Sequence, residues 1–433
     1  MNITQHQREQ LDIATSGMVG ILTGAAGTGK SHVVAELLRH REGTYYVAAP
    51  TGKAASRINQ ENRLFNASTI HSLLRPERNG HDGMGWQFAY NRFCPLSTDL
   101  LVIDEAPMVS SELMAPLLDA IDHGTQVLFV GDPNQLPPVG HGCPVFDMLK
   151  SGRIPHGHLS EVHRHSGRIA QVANAINAGE PWQPSPVVDL EADFPENLKH
   201  VHAVSGMVGP AIVKILKKLQ EKPGLDPVND IQVICPLNSS GDLSRKELNK
   251  IVSGVLMPPD ADQCEKMPFQ LGEKIICTKN QMLPIHDELN ESPGKFYVAN
   301  GETGVVVSPL LGFNDKVVGI IFRTSTGVLL EVKGGSLKEF EPAWAITVHK
   351  SQGSQSLIVI CVIDPQGSRV ASRQFWYTAI TRASRLAILV GPMIVLHRQC
   401  ERIDIEQRRT FLAERIQQLC PEPTNSASAL SPL

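Results

Sequence analysis

The chain has 433 residues, of which 42% are hydrophobic and 19% are charged, and its formal net charge at pH 7 is −4. At about 150 residues per domain, this length predicts roughly three domains. The near-neutral charge argues against a basic coat protein for nucleic acids, but it is compatible with a narrow basic groove. No apolar run is long enough to span a membrane, and the polar first residues lack a secretory core. We therefore expect a cytoplasmic protein.

Cysteine and histidine spacing does not favour a metal centre. The eight cysteines form no CxxC pair, so we expect reduced thiols rather than a zinc site or a disulfide framework. His156, His158, His163 and His165 are close in sequence. No cysteine or carboxylate accompanies them at metal-ligand spacing, so a structural role is the favoured interpretation.

Short apolar runs alternate with helical stretches in the first 165 residues. This alternation predicts a parallel sheet covered by helices, which is an α/β fold. Ligands of such sheets bind at the carboxyl ends of the strands, where the motifs described below fall. The predicted strands are Met18–Gly24, Tyr45–Pro50, Leu100–Asp104 and Val127–Asp132.

A second α/β unit is predicted farther along the chain, around the apolar runs Ile231–Cys235, Leu357–Ile363 and Leu386–Val390. Between the first and second of these runs, short β-segments separated by Gly, Pro and Asn are typical of a small antiparallel barrel. The predicted domains are therefore 1–165, then 166–266 together with 341–420, with the barrel at 267–340 as an insertion.

Two further segments depart from the α/β pattern. Residues 75–98 are rich in glycine and aromatic residues, which predicts a hairpin inserted in the first domain. Residues 421–433 are rich in proline and serine, which predicts a disordered tail.

A complete phosphate-binding loop follows the first predicted strand. Residues 24–31 read GAAGTGKS and match GxxxxGK[ST], and a helical run, His32–Arg39, follows as the motif requires. Backbone N–H groups of such a loop wrap the phosphates, the lysine reaches the β and γ phosphates, and the serine hydroxyl binds Mg²⁺. A ligand-free glycine turn is the disfavoured alternative. The predicted nucleotide contacts are Gly24, Ala25, Ala26, Gly27, Thr28, Gly29, Lys30 and Ser31.

An acidic pair, Asp104 and Glu105, ends the apolar run that starts at Leu100. We predict that Asp104 holds Mg²⁺ and that Glu105 acts as the general base for the attacking water. A solvated strand end is the alternative. Because the guanine signature Asn-Lys-x-Asp is absent from the sequence, ATP is favoured over GTP.

Seven further segments occur in a distinctive order. They are ITQHQ (3–7), APTGKAA (49–55), STIHSL (68–73), GDPNQLPPV (131–139), SEVHR (160–164), AITVHKSQGS (345–354) and WYTAITRA (376–383). Together they resemble the motifs of superfamily 1 helicases of the 5′→3′ subgroup, the RecD-like and Dda-like enzymes. The resemblance runs from about Ile3 to Gln418. It implies two RecA-like P-loop domains, with a pin at 75–98 and an SH3-like barrel at 267–340.

The resemblance also implies roles in ATP binding and hydrolysis. Gln7 would recognise adenine, and Gln135 would sense the γ-phosphate. Arg164 and Arg382 would reach the phosphates from the second domain, Arg382 as an arginine finger worth about 10³–10⁵ in rate. Gly353 would also contact ATP.

Contacts to single-stranded DNA are implied by the same resemblance. Trp86 and Phe88 of the pin would stack on a base, at roughly 1–3 kcal/mol per contact, or they would only anchor the insertion. Both interpretations remain open. The other implied DNA contacts are Pro50, Thr51, Lys53, His71, Thr347, His349 and Lys350.

The function that we predict is an ATP- and Mg²⁺-dependent DNA helicase that translocates 5′→3′ on single-stranded DNA and unwinds duplex. Its expected partners are single-stranded and forked DNA, with single-strand-binding, replication or repair proteins as further candidates. RNA remains open as a substrate. The alternatives are a translocase that displaces proteins without unwinding, a small-molecule P-loop phosphotransferase and a non-motor binding module.

Overall fold

The computed structural model describes residues 3–62, 65–78, 86–161, 168–184, 198–257, 267–287, 294–312, 316–404, 408 and 410–420. These residues form two parallel sheets, one larger antiparallel sheet and two hairpins. Within the same ranges, no helix is both long and apolar enough to cross a membrane.

The first parallel sheet has six strands, and apolar clusters pack on both of its faces. Its strand order is β3-β2-β6-β7-β1-β8, and the four strands predicted from apolar runs are confirmed to within one residue at each end. The elements are α1 (Gln5–Ala14), β1 (Val19–Gly24), α2 (Lys30–His40), β2 (Tyr45–Ala49), α3 (Gly52–Glu61), β3 (Ser68–Thr69), α4 (Ile70–Leu74), β4 (Pro76–Arg78), β5 (Trp86–Phe88), β6 (Leu100–Ile103), α5 (Ser111–Asp119), β7 (Gln126–Gly131), α6 (Pro144–Ser151) and β8 (His156–Leu159).

The hairpin predicted in the segment 75–98 is formed by β4 and β5, which pair antiparallel. The residues that connect them, 79–85, lie outside the described part of the chain.

The second domain begins with helices that flank its first two strands. These elements are α7 (Arg168–Ala178), β9 (Leu198–Val201), α8 (Val208–Gln220), α9 (Pro227–Asp230), β10 (Ile231–Cys235) and α10 (Arg245–Leu256).

An antiparallel β-unit follows, at the place where a barrel was predicted. Five of its strands form one antiparallel sheet in the order β16-β15-β14-β11-β17, around a core in which the Phe322 and Phe340 ring centroids lie 5.1 Å apart. We call residues 267–342 the β-insertion, because β17 extends two residues beyond the predicted boundary at 340. Its strands are β11 (Lys274–Cys277), β12 (Gln281–Pro284), β13 (Lys295–Val298), β14 (Thr303–Leu311), β15 (Val317–Thr324), β16 (Leu329–Lys333) and β17 (Phe340–Pro342).

The chain then returns to the second domain and completes a five-stranded parallel sheet in the order β18-β10-β19-β20-β9. The predicted second α/β unit, interrupted by an insertion, is therefore present. Its remaining elements are β18 (Ala345–Thr347), α11 (Val348–Ser351), β19 (Ser356–Val362), α12 (Arg373–Thr381), β20 (Ala383–Val390), α13 (Met393–Cys400) and α14 (Leu412–Leu419).

Helix α14 corrects the assignment of all of 341–420 to the second domain. It packs on α6 of the first domain, where Ile416 joins the apolar cluster and Gln417 Nε2 donates to Ser151 O at 3.1 Å. Arg408 also crosses to the first domain, donating to Gly140 O at 2.9 Å. Ala413 of this helix is buried and Ile416 is half-buried at the contact with the first domain, and sequence periodicity alone does not tell which domain supplies that partner surface.

Candidate functional site

The phosphate loop joins the end of β1 to the start of α2. Gly27 and Gly29 have φ values of 87° and 84°, a left-handed conformation that glycine adopts without steric cost. Lys30 Nζ donates to the carbonyl oxygens of Gly24 and Ala25 at 2.7 and 3.0 Å. The loop therefore holds its lysine at the N-terminus of α2, where the helix end favours an anion.

Gln7 fixes the outer side of this loop. Thr4 and Gln7 form a capping box at the start of α1, in which Gln7 Oε1 accepts from Thr4 N at 3.0 Å. The Nε2 group of Gln7 donates to Thr28 O at 3.1 Å. The side chain also lines the nucleotide cleft defined below, so adenine recognition by Gln7 remains a proposal.

The acidic pair stands directly after β6. Glu105 has a φ of 51° and its N–H donates to Asp104 Oδ1 at 2.8 Å. Arg57 of α3 places its Nη2 atom 3.2 Å from Glu105 Oε1 and 3.7 Å from Asp104 Oδ2. Sequence reasoning missed Arg57, although it lies four residues after Lys53 and therefore on the same face of the helix.

The two carboxyl groups titrate differently. Burial raises the pKa of Asp104, and the charge of Glu105 raises it further. Burial also acts to raise the pKa of Glu105, but the positive charges of Arg57, Arg382 and Lys30 outweigh it and leave that pKa lowered. Glu105 is therefore the carboxylate of the pair that stays ionised and can accept a proton.

A nucleotide cleft of about 660 Å³ lies between the two parallel-sheet domains. Gln135 from the first domain and Arg382 from the second face each other across it. Gln135 Oε1 is buried and has no hydrogen-bond partner among the described residues. Arg382 Nη1 donates to Ser354 O at 3.1 Å. The cleft is also lined by Ala26, Gly27, Gly29, Lys30, Ser31, Asp104, Glu105 and Gln355.

Two predicted nucleotide contacts have other outcomes. Arg164 lies outside the described residues. Gly353 packs on α3 and does not line the cleft, so its contact with ATP stays a prediction. Its φ is 74°, and a Cβ atom there would lie 3.1 Å from Ala54, so the glycine allows close approach of the second domain to α3. Gln355, two residues later, reaches the cleft instead.

Hydrogen bonds join the loop after β7 to the second domain. Tyr377 of α12 donates its hydroxyl hydrogen to Asp132 Oδ2 at 2.7 Å. The Leu136 N–H donates to Thr378 Oγ1 at 2.8 Å, and Gln352 Nε2 donates to Leu136 O at 3.3 Å. Any movement of the second domain therefore acts directly on the loop that carries Gln135.

A second opening, which we call the transverse groove, also lies between the domains and has a volume of about 470 Å³. It brings together predicted contacts from distant parts of the chain. Asn300 and Gly301 of the β-insertion line it as well, and the sequence did not indicate them. The predicted residues in the groove are Pro50, Thr51, Lys53, His71, Phe88, His349 and Lys350.

The remaining predicted DNA contacts lie at the edges of the groove. Thr347 lines an adjoining depression that it shares with His349 and Lys350. Phe88 lies with its ring centroid 6.1 Å from that of His71 and packs against the first-domain core while it lines the groove. The side chain of Trp86 is outside the described part of the structure.

Ion pairs and burial affect the charge of the basic side chains that line the transverse groove. Lys350 Nζ lies 3.4 Å from Glu341 Oε2, and the same oxygen is 2.8 Å from Arg245 Nη2. Burial lowers the pKa of Lys53 to about 8 and also lowers the pKa of His349. Lys53 and Lys350 are the lysines that line the groove, and Glu112, whose pKa a hydrogen bond with His141 lowers to about 2, lines it as well.

The histidine group has no ligand geometry in the described residues. His156 Nε2 and His158 Nδ1 lie 2.6 and 2.8 Å from the hydroxyl oxygen of Thr23. Across the described ranges, no group of three or more His, Cys, Asp or Glu side chains could hold a metal ion. His163 and His165 lie outside those ranges.

Known protein families match both parallel-sheet domains. The model described as an AAA domain matches residues 2–203, and the model described as a UvrD-like helicase C-terminal domain matches residues 342–390. The RecBCD enzyme subunit RecD of Mycolicibacterium smegmatis is 28% identical, over 95% of this chain and 75% of that protein. The ATP-dependent RecD2 DNA helicase of Deinococcus radiodurans is 30% identical, over 96% of this chain and 52% of that protein.

The chain is therefore similar to RecD-like helicases along most of its length. With Lys30, Asp104, Glu105 and Arg382 in one cleft, this RecD-like chain is an enzyme of the ATP-hydrolysing class. It spans about half the length of the RecD2 relative, so the activity and partners of that whole protein do not transfer directly.

Solved structures share the RecD-like fold of this chain. A Pif1 helicase from Bacteroides in complex with ADP-AlF3 and single-stranded DNA matches with a TM-score of 0.55 and 18% identity, over 97% of both chains. Bacteroides Pif1 bound to single-stranded DNA matches with a TM-score of 0.51 and 19% identity, over 90% of this chain and 92% of that one. At this identity the likeness shows the two-domain P-loop fold.

Proposed function

We propose that the protein is an ATP-driven DNA helicase that moves 5′→3′ on single-stranded DNA and separates duplex ahead of it. The observation that carries this proposal is the shared position of the nucleotide cleft and the transverse groove. The cleft and the groove lie between the same two domains. Closing of the domains around ATP would therefore change the contacts that the protein makes with a DNA strand in the groove.

The residues of the cleft fit MgATP. The left-handed glycines open the loop for the phosphates, and Ser31 and Asp104 are the oxygen ligands that would hold Mg²⁺. Glu105, whose pKa is lowered, accepts the proton of the attacking water. The unpaired Oε1 of Gln135 accepts a hydrogen bond from the same water. A bound Mg²⁺ would neutralise charge on the phosphates.

Arginine and lysine side chains supply the remaining electrostatic stabilisation. Lys30 from the first domain and Arg382 from the second line the cleft, and Arg382 is oriented by carbonyl oxygens of its own domain. Stabilisation of the transferring phosphoryl group by Arg382 requires the two domains to close. Hydrolysis breaks the bond between the β- and γ-phosphates, and departure of the phosphate removes the charge that holds the two domains together, so they part.

The closing and opening of the two domains is transmitted to DNA through the loop between Asp132 and Val139. Tyr377 and Thr378 hold this loop from the second domain, and Val139 at its end lines the transverse groove with 77% of its surface exposed. Contacts in the groove are with the sugar-phosphate backbone and base faces, so binding is independent of sequence and is weakened by salt.

Unwinding requires a separating element ahead of the motor. The β4–β5 hairpin would serve as this pin, and its Phe88 packs against the first-domain core beside the groove. Opening must offset about 1.4 kcal/mol of stacking per base-pair step. The 5′→3′ direction rests on the resemblance to the subgroup.

The motor is tested by ATP hydrolysis with and without single-stranded DNA. We expect oligothymidine to stimulate steady-state hydrolysis by the wild-type protein and to leave Lys30→Ala inactive. Hydrolysis that is indifferent to DNA would favour a phosphotransferase instead. Stimulated hydrolysis that displaces streptavidin from biotinylated DNA, without separating strands, would favour a translocase.

A further inference from the structure

A third cavity, of about 470 Å³, lies where the two parallel-sheet domains meet the β-insertion. We call it the junction chamber. Arg57, Glu61 and Gln355 line both this chamber and the nucleotide cleft, and Lys53 lines both the chamber and the transverse groove. The chamber therefore adjoins the site of hydrolysis on one side and the groove on another. The β-insertion closes it with Thr303, Gly304, Val305, Arg323, Thr324 and Ser325.

The charged side chains that line the chamber are mostly basic. Lys53, Arg57, Lys274 and Arg323 face one acidic residue, Glu61. Lys53 and Arg57 come from α3 of the first domain, and Lys274 and Arg323 come from two strands of the β-insertion, so no single helix or strand explains their convergence. A cavity with this lining attracts an anion.

Lys274 is the most deeply placed of the four and is only 8% exposed. Its Nζ donates to Ile231 O at 3.2 Å, and it forms no ion pair with a described carboxylate. Asp226 and Asp230 act on it from beyond ion-pair range, yet burial still lowers its pKa to about 7. An ammonium group in this position costs free energy unless an anion compensates it.

Lys53 of the first domain also lines the chamber, and its pKa is likewise lowered by burial. Glu302 is the carboxylate whose charge favours its ionised form, and Arg382 opposes it. Within the described part of the chain, Lys53 also makes no ion pair. Lys274, which is buried, and Lys53, which is half-buried, thus face a polar cavity, and neither forms an ion pair with a described carboxylate.

Arg57 stands between the chamber and the γ-phosphate side of the cleft. It contacts Glu105, the proposed base, at 3.2 Å, and it lines both spaces. Asn229 and Ser325, which are exposed, line the outer side of the chamber. A small anion that leaves the γ-position past Arg57 would enter the chamber and could continue to solvent.

We propose that the junction chamber is a binding site for the inorganic phosphate that hydrolysis releases. The dianion supplies the counter-charge that Lys53, Lys274 and Arg323 lack, through charge-assisted hydrogen bonds. Hydrolysis transfers the γ-phosphoryl group of ATP to water and yields ADP and hydrogen phosphate, so no further reactant is required. The inference rests on the proposed ATP hydrolysis but not on translocation or its direction.

The test measures phosphate affinity in protein saturated with MgADP, which occupies the phosphate loop. Inorganic phosphate is titrated by calorimetry into wild-type protein, Arg323→Ala and Lys274→Met. Arg323 is exposed, so its replacement tests the chamber even if Lys274→Met fails to fold. Lys333→Ala is the matched control, an exposed lysine on the next strand of the β-insertion that does not line the chamber.

We expect phosphate to bind about tenfold more weakly to Arg323→Ala than to wild type and Lys333→Ala, with MgADP affinity unchanged. Equal phosphate affinity in all variants would overturn the proposal. A loss of oligothymidine affinity at unchanged phosphate affinity would also overturn it, because the chamber would then hold a DNA phosphate. Failure of the helicase proposal would appear separately, as wild-type ATP hydrolysis without stimulation by DNA.

Discussion

Tyr377 and Asp132 are 245 positions apart in the chain, and the tyrosine hydroxyl donates to the aspartate Oδ2 at 2.7 Å. The pair joins α12 of the second domain to the loop that carries Gln135. Burial raises the pKa of Asp132, and the bond from Tyr377 opposes that effect. The contact is the most direct polar link between the γ-phosphate end of the cleft and the second domain.

Replacing Tyr377 with phenylalanine tests this link. A hydrogen bond to a charged group is worth about 1.5–3 kcal/mol, so we expect kcat for DNA-stimulated hydrolysis to fall at least about tenfold. ATP affinity should change little, because the phosphate loop is untouched. Tyr46→Phe, at an exposed position of the first domain, is the control. An equal loss of kcat in both variants would show that Tyr377 does not couple the second domain to hydrolysis.

Arg57 is expected to set the acidic limit of hydrolysis. Its positive charge helps to keep the pKa of Glu105 low, so Arg57→Gln should raise that pKa. Because the base must be deprotonated, the acidic limb of the kcat–pH profile should move to higher pH, and activity should be lost earlier as the pH falls. Arg57→Lys should restore part of the shift. An unmoved acidic limb in Arg57→Gln would contradict this role.

Arg382 is expected to act on the chemical step. Arg382→Ala should lower kcat by about 10³–10⁵-fold, while equilibrium ATP affinity changes far less. The comparison is with Arg398→Ala, an exposed arginine on α13. Single-turnover hydrolysis separates the chemical step from product release, and a defect confined to product release would argue against the arginine-finger role.

The ionisation of Lys53 is expected to make DNA binding in the transverse groove depend on pH. Its pKa is about 8, so the ammonium charge is present below that value and is lost as the pH rises through it. DNA affinity, measured by fluorescence anisotropy at constant ionic strength, should therefore fall roughly fivefold between pH 7 and pH 9. Lys53→Arg, which stays charged, should remove most of this fall. If the DNA affinity of Lys53→Arg fell by the same amount, another titrating group would be responsible for the fall.

Sequence reasoning located the parts of the site that local motifs encode. Lys30 follows a loop whose glycines are required by its backbone, and Asp104 ends a buried strand, so both can be recognised from neighbouring residues. Arg57 could not be assigned in the same way. Its contact with Glu105 depends on how α3 packs beside β6, and no short motif records that packing.

Contacts that residues make with another domain were equally difficult to predict from the sequence. Gly353 lies in a motif associated with ATP, and the sequence does not indicate its close packing on Ala54 of the other domain. Helix α14 has an apolar side that suits a core, and only the folded chain shows that α6 of the first domain provides it. The junction chamber likewise exists because three units meet, and its lysine and arginine side chains come from α3 and the β-insertion.

The central claim is tested most directly by strand displacement on three duplex substrates, with a 5′ single-stranded tail, a 3′ tail or blunt ends. With MgATP, the wild-type protein is expected to unwind the 5′-tailed duplex, and Lys30→Ala is expected to unwind none of the three. Unwinding of the 3′-tailed substrate alone would contradict the direction of movement. Failure on all three substrates, by protein whose ATP hydrolysis responds to single-stranded DNA, would contradict the helicase itself.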